Sequence, residues 1–205
     1  IEQILLPACM WRAQRPNYNI RKAALVCLIK MYKFNLVEKE CSTKYFTNYI
    51  LMLKSSMEDD WDCELRNLSI QLVTILLITN NKLNYSNCFI GESELRELYP
   101  IMLKRLDDSQ DENRKAICKT FEHFFTLVKD KLRISASAIE YIFQTSCIHL
   151  DDTKREIRES VYTFLEILFS IEDERYNNCL RKIVDDEYVK FLNRDYIDKL
   201  KKLIN

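Results

Sequence analysis

Glycine is almost missing from this chain: Gly91 stands alone among 205 residues, with three prolines and two histidines. A single glycine rules out a P-loop, a dinucleotide fingerprint and a G-x-S-x-G nucleophile elbow, each of which needs two or more. It also leaves little material for β-hairpins and bulges, so an all-helical fold is expected. A serine or cysteine nucleophile would have only His123 or His149 as its base, and neither has an orienting carboxylate evident in the sequence. No C-x-x-C occurs, and the eight cysteines lie at least 14 residues apart, so a zinc site would have to be gathered from distant segments. Cys27, Cys118 and Cys147 are read as small hydrophobes in a reducing compartment, where the sequons at Asn67 and Asn84 are expected to stay silent. No apolar run approaches the roughly 20 residues of a membrane span. No signal-peptide pattern opens the chain, which starts at Ile1 within an apparent helix and is therefore expected to be a piece of a longer protein. Thirty-one basic residues balance 31 acidic ones, which removes global electrostatic steering toward nucleic acid.

What is present is a period. Arg21, Arg66, Arg114 and Arg158 recur at intervals of 45, 48 and 44 residues. Four residues beyond them stand Leu25, Ile70, Cys118 and Tyr162, and seven beyond stand Leu28, Val73, Phe121 and Leu165. Ten and eleven beyond stand Met31 and Tyr32, Leu76 and Leu77, Phe124 and Phe125, and Leu168 and Phe169. Those offsets share one face of a 3.6-residue helix, so each arginine heads an amphipathic helix. A small residue follows each start: Ala23, Ser69, Ala116 or Ser160. Six residues before the arginines stand Asp60, Asp108 and Asp152, with Arg15 in the first unit, where an Asp suits the orphan amides of the next helix. Segments near 3–14, 44–57, 94–106 and 137–150 are also apolar at helical spacing. Each unit therefore reads as helix, turn, helix. Pro7 and Pro100 share one offset, which suggests a common bend, and the second unit carries an extra residue in Met57-Glu58-Asp59-Asp60-Trp61.

A period of about 45 residues holding two helices, with Asp in the turn and Arg in the second helix, resembles HEAT repeats. The runs Leu5-Leu6-Pro7-Ala8-Cys9-Met10-Trp11-Arg12-Ala13, Leu98-Tyr99-Pro100-Ile101-Met102-Leu103-Lys104-Arg105-Leu106-Asp107-Asp108 and His149-Leu150-Asp151-Asp152 are similar to the carboxy-terminal region of the dynein axonemal assembly factor 5 family. The expected architecture is an all-α solenoid of antiparallel helix pairs, a HEAT/armadillo-like superhelix. It forms one domain with units near 1–40, 41–90, 91–133 and 134–171 and an irregular C-terminal cap over 172–205. In the cap, Val189, Leu192, Tyr196, Leu200 and Leu203 form the last apolar stripe.

The candidate site is a surface. If the stripes face inward, the polar faces of the second helices present Lys22, Lys30 and Lys33, then Asn67, Gln71 and Thr74, then Lys119, Glu122 and Thr126, then Glu159, Thr163 and Glu166. They line a groove graded from basic through neutral and mixed to acidic, fit for an extended or helical partner segment. Asp60, Arg66, Asp108, Arg114, Asp152 and Arg158 are expected to form a structural ladder, and Trp11 and Trp61 to pack between repeats. No enzyme activity, cofactor, metal, membrane, nucleic acid or small-molecule substrate is expected. The resemblance implies a cytoplasmic factor in the preassembly of axonemal dynein arms, binding dynein chains and co-chaperone assembly factors. The alternatives are a tubulin-binding module of HEAT type, using Trp11, Arg12 and Trp61, and a fragment of a transport receptor or phosphatase scaffold.

Overall fold

A computed structural model describes residues 1–10, 17–83, 88–184 and 193–203. Trp11, Arg12, Arg15, Asn84, Val189 and Leu192, all singled out above, lie outside these residues. The described chain is helical and contains no strand. In order come α1 (Leu5–Cys9), α2 (Tyr18–Lys33), α3 (Lys39–Met57), α4 (Cys63–Lys82), α5 (Glu92–Lys104), α6 (Asp111–Asp130), α7 (Ala136–Cys147), α8 (Arg155–Phe169), α9 (Glu174–Val184) and α10 (Arg194–Lys201). Short 3₁₀ turns, Arg105–Asp107 and Ile148–Asp151, close α5 and α7.

Odd-numbered helices pack on odd-numbered ones, α1 on α3, α3 on α5, α5 on α7 and α7 on α9, while α2, α4, α6 and α8 form a second layer that α10 joins against α8. The all-α solenoid read from the sequence is the observed fold. The cause is the stripe itself: Leu25, Ile70 and Cys118 are fully buried, as are Leu28, Val73, Phe121 and Leu165. Neither helix of a pair can hide such a face alone, so successive pairs stack. In the third and fourth units the core becomes aromatic. Phe121 stacks on Phe164 with ring centroids 5.0 Å apart, and Phe124 and Phe125 meet edge-on at 5.4 Å.

Helix ends are placed by polar side chains. Asn17 accepts from the Ile20 amide, Asp62 from Leu65 and Ser135 from Ala138, each filling an N-terminal orphan donor. Glu94 reaches back to the Gly91 amide at 2.9 Å. The end of α2 is a Schellman turn, in which Leu36 N–H donates to Met31 O and Asn35 N–H to Tyr32 O. Asn35 holds φ 54 there, taking the left-handed position for which its short polar side chain is suited.

The shared-bend reading of the prolines needs correction. Pro7 lies in the first turn of α1, where its missing N–H breaks no helix bond, whereas Pro100 lies in the interior of α5, five residues before the start of the 3₁₀ turn. Cys27 also departs from expectation. It is exposed, because an offset of six from Arg21 falls beside the stripe, while Cys118 and Cys147 are buried and desolvation pushes their thiols up to about 12 and about 11.

The connection from α4 to α5 is held by one buried amide. Asn80 Oδ1 accepts from the Phe89 and Ile90 amides at 2.8 and 3.0 Å, and its Nδ2 donates to Ile90 O. From the next unit, Lys131 Nζ donates to the carbonyls of Asn80, Asn81 and Leu83 at the end of α4. Asn80→Ala strands two buried amides and is expected to cost about 2–3 kcal/mol. Hydrogen exchange checks this: the Phe89 and Ile90 amides should lose protection ahead of the α4 interior, and unchanged protection would contradict the assignment.

Candidate functional site

The four arginines follow one rule. Each donates backward to a backbone carbonyl at or before the turn of its own unit and, in the first three units, forward to a carboxylate in the turn of the next. Arg21 Nε donates to Cys9 O at 3.2 Å and Nη1 to Asp59 at 3.0 Å. Arg66 Nη1 donates to Asp59 O at 2.8 Å, while Nε and Nη2 take both oxygens of Asp108 at 2.7 and 3.0 Å. Arg114 Nε donates to Leu106 O at 3.0 Å and Nη2 to Asp152. Each aspartate also turns its own chain: Asp59 Oδ1 accepts from the Trp61 and Asp62 amides, Asp108 Oδ1 from Gln110 and Asp152 Oδ1 from Lys154.

One sequence assignment changes here. Asp60 is exposed, and Asp59 holds the carboxylate position, because the extra residue in the second turn makes a count of six back from Arg66 land one residue late. The carboxylate of each turn pairs with the arginine of the unit before it. Asp108 belongs to Arg66, and Arg114 belongs to Asp152. The Arg66–Asp108 pair is bidentate and buried, with 5% and 6% of the two residues exposed. Burial raises the Asp108 pKa, but Arg66, the Gln110 amide and Asn113 outweigh it and hold the carboxyl below its ordinary value.

The second-helix layer is less open than its sequence pattern suggests. Asn67 Nδ2 donates to Asn113 at 2.8 Å and Thr74 shares a hydrogen with Thr120 at 2.7 Å, so both are half-buried bridges from α4 to α6. Thr126 returns its hydroxyl to Glu122 O. The physical reason is close lateral packing of α4 and α6, which turns offsets of one and eight toward the neighbouring helix. Lys22 is spanned by Asp62 and Glu64, whose hydrogen bonds raise its pKa, with the Glu64 bond the largest contribution. Exposed on this layer are Lys30, Lys33, Gln71, Lys119, Glu159, Thr163 and Glu166. Lys119 pairs with Glu122, Arg155 with Glu159, and the Tyr162 hydroxyl donates to Glu166. The fourth unit is therefore not a plain acidic face, since Arg155 offsets Glu159.

Trp61 corrects another expectation: it is 87% exposed at the second turn rather than packed between repeats. Sequence reasoning also missed Asn113, Thr120 and Asn80, whose roles depend on partners some 10 to 50 residues away. The surroundings of both histidines favour the neutral imidazole. Burial lowers the pKa of both, with Lys119 adding to the effect at His123, and His149 Nε2 lies 3.8 Å from the exposed Asp107. Among the described residues no three His, Cys, Asp or Glu side chains come together to hold a metal, and no helix is long and apolar enough to cross a membrane.

No family model matches the chain. Over 169 residues it is 26% identical to dynein axonemal assembly factor 5 of Xenopus laevis and 27% identical to that of Homo sapiens, covering 81% and 82% of this chain. The chain spans about a fifth of those relatives, 19% of each. The resemblance read from the sequence is thus to a part of that protein. Among solved structures, a designed armadillo repeat protein in complex with peptide (KR)4 superposes with a TM-score of 0.58 at 13% identity, over 98% of this chain and 80% of that one. One of a set of computationally designed armadillo repeat proteins for modular peptide recognition gives 0.56 at 12%, over 98% and 81%. These likenesses concern the fold.

Proposed function

We propose that this chain is a non-catalytic protein-interaction scaffold, the part of a cytoplasmic axonemal dynein assembly factor that holds dynein chains or co-chaperones during arm preassembly. The observation that supports this most is the similarity to dynein axonemal assembly factor 5 over four fifths of the chain. The armadillo-like architecture agrees with it, since stacked helix pairs offer a continuous surface, and one solved neighbour of the same fold is in complex with peptide (KR)4. The binding surface in this reading is the second-helix layer, with Lys30, Lys33, Gln71, Lys119, Glu159, Thr163 and Glu166 as the open positions. Binding is stoichiometric, and charge complementarity with the partner segment sets register more than affinity.

Affinity purification from a ciliated cell tests the reading. Dynein subunits or other assembly factors are expected in the eluate, and their absence alongside tubulin or importin cargo would overturn it. Charge reversal at Lys119 and Glu159 is expected to weaken capture of the same partner; unchanged capture would remove the groove from the account while leaving the partner class intact.

One observation favours a second reading. The exposed Trp61 lies on the turn edge, where a cytoskeletal module would make its contacts. Cosedimentation with purified tubulin that is lost in Trp61→Ala would support that alternative.

A further inference from the structure

The arginine rule breaks once, at its last member. Arg158 makes the backward contacts, with Nη1 donating to Asp152 O at 2.6 Å and Thr153 O at 3.2 Å. Among the described residues no carboxylate reaches its guanidinium, and its buried Nε has no acceptor. In the two preceding units, Arg66 and Arg114 each bind a turn aspartate of the following unit. Among the described residues Arg158 therefore keeps the pose without the ligand. It opens instead into a cleft of about 420 Å³ between α8 and α10, lined also by Arg155, Tyr162, Asn193, Tyr196 and Lys199.

The lining has the chemistry of a carboxylate receptor. Lys199 Nζ lies 5.8 and 5.4 Å from the ring centroids of Tyr162 and Tyr196, held over both faces by cation–π attraction. The two rings are themselves packed 5.4 Å apart and form an apolar wall beside the charge. Of the carboxylates on the lining, Glu159 is taken by Arg155 and Asp195 is exposed on the rim. Among the described residues that leaves Arg158 and Lys199 as cations without a carboxylate partner. A partly buried guanidinium with free donors favours a planar acid, which it can take through two N–H groups.

We propose that the cleft between α8 and α10 is a binding site for an aspartate or glutamate side chain of an acidic protein segment, which supplies to Arg158 the carboxylate that the next turn supplies to Arg66 and Arg114. The proposal rests on the scaffold reading only in taking the carboxylate from a protein. It names the helix pair at which the partner docks and the sign of its charge.

A short fluorescein-labelled peptide rich in Asp and Glu, titrated with the full chain at low salt and followed by anisotropy, tests it. Saturable binding is expected, weakened by added salt. Lys199→Gln, which touches no backbone, and Arg158→Gln are each expected to raise the Kd about tenfold. Lys104→Gln, on α5 and outside the second-helix layer, is expected to leave it unchanged. Equal affinity for wild type, Lys199→Gln and Arg158→Gln would overturn the site, as would equal binding of a Lys-rich peptide or stronger binding of single-stranded RNA. Binding that appears only after Asp185 and Asp186, which lie outside the described residues, are changed to Asn would also overturn it, because the carboxylate would then be the chain's own. Dynein subunits recovered on purification while this peptide fails to bind would reject the cleft and keep the scaffold reading.

Discussion

Asp108→Ala is expected to destabilise the protein by about 3–5 kcal/mol, because it leaves Arg66 buried with no counter-charge. Both oxygens of Asp108 are used by Arg66, one also accepts from Arg105 at 3.2 Å and the other from the Gln110 amide at 3.0 Å, so the substitution empties four hydrogen bonds at once. By contrast, Lys104→Ala removes an exposed pair with Glu58 and is expected to cost about 0–1 kcal/mol. Urea unfolding of the two variants beside wild type measures the difference, and equal midpoints would contradict the assignment. The same carboxylate predicts a pH dependence. Its folded pKa is depressed, so its contribution is fully present above the ordinary aspartate range, near pH 4, and is lost as pH falls through the lower folded value. Wild type is therefore expected to lose more unfolding free energy between pH 5 and pH 3 than Asp108→Ala. An equal loss would assign the acid sensitivity elsewhere.

Phe121→Ala is expected to cost about 3–5 kcal/mol by a different mechanism, the cavity left in a fully buried aromatic cluster. Phe121 stacks on Phe164 across units at 5.0 Å, stacks on Phe125 at 6.0 Å and meets Phe124 edge-on at 6.0 Å. Those partners come from α6 and α8, so the cavity opens between units and not within one pair. Thermal unfolding followed by near-UV circular dichroism and by helicity would show this. The expected result is a lower transition in both signals, with the fourth unit losing hydrogen-exchange protection along with the third. Loss confined to the third unit would mean the cluster does not couple them.

Much of the fold was legible because the stripes repeat. An apolar stripe at offsets of four, seven, ten and eleven, buried except at the half-buried Met31 and Tyr162, appears in four successive helices, and repetition makes a pattern that one helix would leave ambiguous. What was not legible depends on counting or on distance. One inserted residue moved the ladder carboxylate from Asp60 to Asp59. The direction of the ladder, forward into the next unit, follows from how pairs stack and has no local signal in the sequence. Asn67 and Thr74 look like solvent-facing polar residues, yet the closeness of α6 turns them into bridges through Asn113 and Thr120. Trp61 is the reverse case, an aromatic that composition assigns to packing and that the lengthened turn holds in solvent. Ile197, buried on α10, was missed because the last stripe was traced through Val189, Leu192, Tyr196, Leu200 and Leu203, of which Leu203 is exposed. The open cation at Arg158 is visible in the sequence only as the fourth member of a series; its missing acceptor is a structural observation.

The central claim is that arginines reaching forward to the next turn couple adjacent units of a stacked array. A double-mutant cycle of Arg66→Ala and Asp108→Ala, measured by urea unfolding at pH 7, tests it most directly. The account predicts that the second substitution costs far less once the first is made, with a coupling of more than about 1 kcal/mol. Destabilisations that add to within about 0.3–0.5 kcal/mol, the tolerance of independent sites, would contradict it.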